Sequence, residues 1–235
     1  MINKQSNVYT IVYIVVLAAV VGAALAFTSL SLQSRQEENS NKDKMRQILA
    51  AARITPPSDS IIAAFDHYIV EQEVTDIKGS KVDADAFTTD VAQESKLPDS
   101  ERKLPVFVCR LDNGEVKYIL PVYGAGLWGP IWGYVAIDSD GSTIYGAYFA
   151  HQGETPGLGA EIEKPAFSNQ FIGKQVIKNG AFMPVAVVKA GQHPSGDEDY
   201  VDGVSGGTIT SKGVGSMLSN CLTPYRQFLE NLSQK

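Results

Sequence analysis

Residues 104–150 read LPVFVCRLDNGEVKYILPVYGAGLWGPIWGYVAIDSDGSTIYGAYFA. Four β-rich runs lie within this stretch: Val106 to Leu111, Glu115 to Tyr123, Ile131 to Ile137 and Thr143 to Ala150. Asp112-Asn113-Gly114 separates the first pair, and a segment containing Asp140-Gly141 separates the last pair. Asn-Gly and Asp-Gly steps accept the positive φ that tight turns require, so both connections are hairpin signals and the stretch predicts an antiparallel meander. Further strands are expected at Lys174 to Ile177 and at Val185 to Lys189. After them Val214, Met217, Leu218, Cys221, Leu222, Tyr225, Leu229 and Leu232 follow the 3.6-residue spacing of a helix that Pro224 should kink. Strands followed by helix, without βαβ alternation, indicate an α+β domain.

Upstream, no residue from Val8 to Leu32 is charged. A helix of that span would be roughly 37 Å long at about 1.5 Å per residue, against a bilayer hydrocarbon core of about 30 Å. It is long enough to cross a membrane with some tilt. A cleaved signal peptide is the rival, since Ala24-Leu25-Ala26 is an A-x-A pattern and Lys4 supplies a positive start. The apolar run outlasts the ~7–15 residues of a signal-peptide core and continues past that site, which favours a retained anchor. Charge counting leaves the orientation open, because Lys4 precedes the span while Arg35, Lys42, Lys44 and Arg46 follow it ahead of a long domain. Gln33 to Lys44 reads as the exit from the bilayer. Met45, Ile48, Leu49 and Ala52 then suggest a helix ended by Pro56 and Pro57, and a second helix is expected over Ser60 to Tyr68. The polar segment from Asp76 to Lys103 reads as loop with one short helix.

Composition removes several function classes. With 44% hydrophobic and 20% charged residues the chain is an ordinary globular protein rather than a disordered one. A formal net charge of -6 and the lack of a basic stripe with interleaved aromatics argue against nucleic acid as a partner. Cys109 and Cys221 lie far apart and form no C-x-x-C motif, so no zinc or thioredoxin-like site is indicated, and whether the two sulfurs meet stays open. His151 falls in no ligand spacing with His67 or His193, and no metal is predicted. No G-x-S-x-G elbow or other nucleophile signature points to a hydrolase.

Three glycine-rich clusters remain. Gly124-Ala125-Gly126-Leu127-Trp128-Gly129 matches the dinucleotide fingerprint G-x-G-x-x-G, yet Pro130 and a strand follow where that fingerprint needs a helix. It reads as a tight connection between strands, or as a wall where backbone can approach a flat ligand beside Trp128. The second cluster is His151 to Gly159, containing Glu154-Thr155-Pro156-Gly157-Leu158-Gly159; it is either a plain loop with a solvated Glu154 or a ligand contact. The third, Asp202-Gly203-Val204-Ser205-Gly206-Gly207-Thr208-Ile209-Thr210-Ser211, leads into the C-terminal helix. Its glycines and hydroxyls can hold a phosphate at a helix start capped by Thr210 or Ser211. A glycine-serine linker ending in a cap explains the composition equally well.

The segment from Asp202 to Thr208 resembles D-x-x-[ST]-G-A-T, the sequence at which a flavin transferase attaches flavin mononucleotide (FMN) to threonine by a phosphoester bond. With the apolar span, the G-x-G-L-W-G and E-T-P-G-L-G segments and the Asn7-Val8-Tyr9-Thr10 entry, the chain is similar to the FMN-binding subunits of membrane redox complexes. The similarity is greatest to the C subunits of sodium-translocating NADH:quinone oxidoreductases. Gly207 departs from the family's usual alanine, which leaves attachment possible on a more mobile loop. The resemblance implies covalent FMN on Thr208 and transferase recognition through Asp202. It also implies a single-pass protein of the bacterial cytoplasmic (inner) membrane with its FMN domain on the periplasmic face. Its partners would be the other subunits of a multi-subunit complex, single electrons passing between an iron–sulfur centre and another flavin subunit, with sodium crossing elsewhere. The isolated chain should not oxidise NADH, and no residue receives a catalytic role.

The chain thus divides into a tail and transmembrane helix (1–35), a connecting region packed on the FMN domain (36–103) and the FMN-binding domain itself (104–235), with a mainly antiparallel sheet flanked by helices. Leu127, Trp128 and Leu158 are expected against the flavin ring, with Thr155 and Ser205 on its polar edges or phosphate. Gly157 and Gly159 of the second cluster and Gly206, Gly207, Thr210 and Ser211 of the third complete the expected cofactor site with Glu154. Core positions for Trp128 and Leu158 are the alternative. The corresponding subunit of an Rnf-type ferredoxin:NAD oxidoreductase and a non-redox anchored binding domain are the competing functions.

Overall fold

The computed structural model describes residues 7–234, so the expectation resting on Lys4 and the rest of the N-terminal tail lies outside the described residues. The chain divides into two compact units, the first ending at Lys44 and the second beginning at Met45. One helix, α1 (Asn7–Ala51), runs through both, and it is long and apolar enough to cross a membrane. In the first unit the apolar side chains from Val8 to Leu32 are exposed, apart from the half-buried Tyr9. The polar stretch beyond is helical too, held in part by i,i+4 pairs such as Lys42–Glu38 at 2.6 Å and Gln33–Glu37 at 3.0 Å. The helix does not reach Pro56 and Pro57. It ends at Ala51, where Arg53 takes a left-handed φ of 62° and the Ile54 amide bonds back to Leu49. A left-handed residue closes a helix without proline.

The second unit continues with α2 (Ile61–Tyr68), β1 (Ile69–Thr75), β2 (Lys81–Val82) and the short α3 (Val91–Glu94). Then come β3 (Leu104–Arg110), β4 (Val116–Ala125), β5 (Pro130–Asp138) and β6 (Ile144–His151). The polar segment before β3 is indeed mostly irregular, whereas β1 is a strand that its polar face conceals in the sequence. These strands form one antiparallel sheet in the order β2-β1-β3-β4-β5-β6. The α4 turn (Pro165–Ser168) precedes two ribbons, β7 (Ile177–Lys178) with β8 (Ala181–Phe182), and β9 (Ala186–Val188) parallel to β10 (Tyr200–Asp202). Of the strand expected over Lys174 to Ile177 only Ile177 lies in one, as the start of β7, while Gln175 makes a single bridge to Thr143. Helices α5 (Thr208–Leu222) and α6 (Arg226–Leu232) close the chain, and the break between them is a tight turn containing Pro224, at the kink that proline implies.

Period-two alternation explains the layers. Val106, Val108, Leu120, Val122, Val135 and Ile137 point to one face, where α5 covers them with Val214, Met217, Leu218, Cys221 and Leu222. Phe107, Cys109, Ile119 and Ala136 point to the other, under Ile48 and Leu49 of the last turns of α1 and Phe65 of α2. With both faces covered, β3 is buried from Leu104 to Cys109. Backbone also approaches backbone directly: a Cβ at Gly146 of β6 would lie 2.4 Å from the Ala51 carbonyl oxygen. Both cysteines are buried and free.

Candidate functional site

The fingerprint-like segment is the β4–β5 hairpin. Ala125 pairs with Pro130, and the Gly126 amide bonds to the Gly129 carbonyl at 2.8 Å, so Leu127 and Trp128 form the tip of a turn with no helix behind it. Trp128 is 69% exposed, Leu127 48% and Leu158 43%. The reading of Trp128 and Leu158 as core residues is thereby excluded. Leu127 and Trp128 are adjacent large apolar side chains standing in water at a hairpin tip, and Leu158 is another on the loop after β6, the kind of exposure that binding surfaces show.

Glu154 is the opposite case, a carboxylate only 4% exposed. Burial opposes its ionised form. The Thr210 hydroxyl at 2.5 Å, the backbone amides of Trp128 (2.8 Å) and Leu127, and nearby His151 outweigh that cost and hold the carboxyl below the ordinary range. The alternative of a plain loop with a solvated Glu154 is therefore excluded: one side chain ties the hairpin tip, its own loop and the start of α5 together. His151 fixes the loop from the other end, its Nδ1 accepting the Glu154 amide at 3.1 Å.

Glycine is required around this carboxylate for space. A Cβ at Gly126 would lie 2.4 Å from Glu154 Oε1, and one at Gly159 would lie 2.4 Å from both Glu154 Oε2 and Thr210 Oγ1. Gly157, at φ 75°, turns the loop, and Leu158 then packs on Gly206, where a Cβ would come within 2.6 Å of Leu158 Cδ2. Gly207 is buried against the Leu158–Gly159 backbone, a Cβ there meeting three atoms at 3.2 Å, so the second and third clusters are in direct contact.

The third cluster differs from expectation in its capping. Gly207 occupies the cap position of α5 and no side chain caps the helix. Thr210 and Ser211 lie inside the first turn and face inward, the Ser211 hydroxyl accepting the Val204 amide at 2.9 Å. Helix placement decides this: the chain turns helical at Thr208, three residues before Ser211. Thr208 itself is exposed. Its hydroxyl, like those of Thr155 and Ser205, makes no hydrogen bond among the described residues. Asp202, at the exposed end of β10, has its backbone gripped by Gln170, which accepts from its N–H at 2.9 Å and donates to its carbonyl at 3.2 Å.

A groove of about 370 Å³ borders Ser205, Gly206 and Thr208 and adds Lys189, Gln192 and Lys212, none of which belongs to a cluster that the sequence singles out. Lys212 had a signal, since i and i+4 put it on the same helix face as Thr208. Lys189 had none, because only the parallel β9–β10 pairing brings it beside Gly203.

These features fit a phosphate-bearing ligand with a planar ring. A free hydroxyl sits where backbone crowds closely and side chains are small, and uncovered apolar groups for a planar ring stand nearby.

Residues 126–223 match the family model of the FMN-binding domain. The chain is 34% identical to the C subunit of the Na(+)-translocating NADH-quinone reductase of Yersinia pestis, over 90% of this chain and 87% of that one. It is 35% identical to its counterpart in Vibrio anguillarum, over 90% and 89%. The crystal structure of the counterpart from Parabacteroides distasonis superposes with a TM-score of 0.79 at 50% identity, covering 84% of this chain and 96% of that one.

Proposed function

The chain belongs to the family of C subunits of the Na(+)-translocating NADH-quinone reductase, an oxidoreductase complex, and from that membership we propose that it is an electron-carrying subunit holding FMN by a phosphoester bond to Thr208. The observation that carries the attachment site is the contrast between the two threonines at the head of α5. The Thr208 hydroxyl is exposed and unbonded, whereas the Thr210 hydroxyl is buried and already donates to Glu154. In the attachment, Thr208 Oγ1 forms a bond to the flavin-side phosphorus of a flavin dinucleotide on the transferase, the pyrophosphate P–O bond breaks, the nucleoside monophosphate leaves with the bonding pair, and a base of the transferase takes the hydroxyl proton.

Bound FMN supplies one-electron redox chemistry. The residues of this chain hold and orient it: Leu127, Trp128 and Leu158 offer an apolar face for the ring, Thr155 and Ser205 offer free hydroxyls to its polar parts, and Asp202 stands exposed for the transferase. Glu154, Thr210 and the close-packed Gly126 and Gly159 keep these groups in register. A tether gives an effective concentration of order millimolar without any free pool. That suits a domain on the outer face of a bacterial inner membrane, anchored by α1, because no external supply of FMN is then needed to keep the site filled. The ring's edge then stays open to partner proteins of the complex, because affinity need not come from enclosing it.

The test is expression alongside a flavin transferase. A band fluorescent in ultraviolet light should persist in a denaturing gel, Thr208→Val should abolish it and Thr210→Val should keep it. Mass spectrometry of the peptide spanning 202–212 should show the added FMN phosphoryl mass on Thr208; an unmodified peptide would defeat the reading.

A further inference from the structure

The groove beside Thr208 is electrostatically out of character with the rest of the chain. The protein carries a formal net charge of -6, yet no residue lining this groove is acidic, and two of them are lysines. Neither Lys189 nor Lys212 has an ion-pair partner among the described residues. The Asp202 carboxylate is outside the lining and accepts from the Gly191 amide at 3.4 Å, and Glu198 borders a neighbouring groove that Lys212 also lines without an ion pair between the two.

Both lysines are brought there by defined structure. Lys189 directly follows β9, whose last residue Val188 accepts the Gly203 amide at 2.6 Å, so Lys189 is held next to the acceptor segment. Lys212 is one helical turn beyond Thr208. Two ammonium groups sharing a groove repel each other, and an anion between them removes that penalty. Ser205 and Gly206 form part of the groove wall, while Gly206 also touches Leu158, so this short segment separates the cationic groove from the exposed apolar group.

We infer that this groove is a phosphate-binding site in which Lys189 and Lys212 neutralise the phosphoryl group carried on Thr208, while the flavin ring lies across the Ser205–Gly206 segment against the apolar group. The inference rests on Thr208 being the acceptor and adds the residues that hold its phosphate. A phosphodiester keeps one negative charge throughout the neutral range, so the pairing persists after attachment. Before attachment the same cations draw the donor's phosphate towards the Thr208 hydroxyl.

The experiment uses the full chain and a purified flavin transferase, comparing wild type, the Lys189→Gln/Lys212→Gln pair and the Lys189→Arg/Lys212→Arg pair. Both positions are exposed, so all three should unfold at similar temperatures. With exposed pairs each contributing up to about fivefold, the glutamine pair should slow attachment about tenfold, and the arginine pair should restore most of the rate. In protein that has been modified, the phosphorus NMR resonance of the ester should differ between wild type and the glutamine pair and become insensitive to sodium chloride in the latter. Equal attachment rates with an identical resonance would overturn the lysine assignment while leaving Thr208 as acceptor. If wild type stays unmodified, the Thr208 reading fails, and titration of inorganic phosphate into the unmodified chain decides the groove separately. Lysine-dependent amide shifts at 203–212 would keep it as an anion site, and their absence would remove it.

Discussion

The Thr210 hydroxyl donates a 2.5 Å hydrogen bond to the buried carboxylate of Glu154, fifty-six residues away in sequence. The bond joins the first turn of α5 to the loop after β6, and through the Trp128 amide the same carboxylate reaches the β4–β5 hairpin. It also withdraws Thr210 from the surface, which separates the two threonines chemically although only one residue lies between them.

Glu154→Ala should lower unfolding stability by about 2 kcal/mol, because it strands the buried Thr210 hydroxyl and removes the acceptor of the Trp128 and Leu127 amides. Glu154→Gln keeps an acceptor and should lose less. Urea unfolding of the chain from Met45 onward, judged by midpoint at constant slope, is the measurement. A loss below about 0.5 kcal/mol for the alanine variant would show that the three clusters are not held by this group.

Acid should loosen the same junction. The folded-state pKa of Glu154 lies below its unfolded value, so its contribution is fully present above the ordinary carboxylate range and is lost as pH falls through the depressed folded value. Thermal unfolding followed from pH 7 down to pH 3 should therefore fall more steeply in wild type than in Glu154→Gln. Parallel curves would contradict an ionised Glu154.

Gly159→Ala should destabilise by roughly 1–3 kcal/mol and impair flavin attachment, since its Cβ would stand 2.4 Å from both members of the Glu154–Thr210 pair. Gly153→Ala, where no atom lies within 4 Å of the new Cβ, should leave stability and attachment unchanged. The pair separates a local space requirement from a general need for loop flexibility.

Trp128→Phe and Leu158→Ala are exposed-site changes and should alter stability by no more than about 0.5 kcal/mol. In the flavinylated protein they should nonetheless shift the visible absorption bands and the midpoint potential. If both spectra and both potentials matched wild type, the ring would have to lie elsewhere.

Much of this architecture is readable locally. The meander follows from two hairpin signals, both strand faces from alternation around Phe107 and Val108, and the break at Pro224 from a ring that removes a helical donor. Elements with weak local patterns are the ones that the sequence hides or misplaces. β1, with Glu71, Gln72 and Glu73, is a strand because it pairs with β3, and the end of α1 is set by the backbone of Arg53 rather than by Pro56.

At the site the division is sharper. The chain's order of residues determined an uncharged 25-residue span, three glycine-rich clusters and an acceptor-like threonine, all of them properties of neighbours along the backbone. Tertiary structure alone decided that the clusters meet on Glu154, that Thr210 is buried while Thr208 is free, and that Lys189 stands beside Gly203. Burial and charge pairing depend on what folds against a residue from far away, and a single strand of text carries no record of that distance.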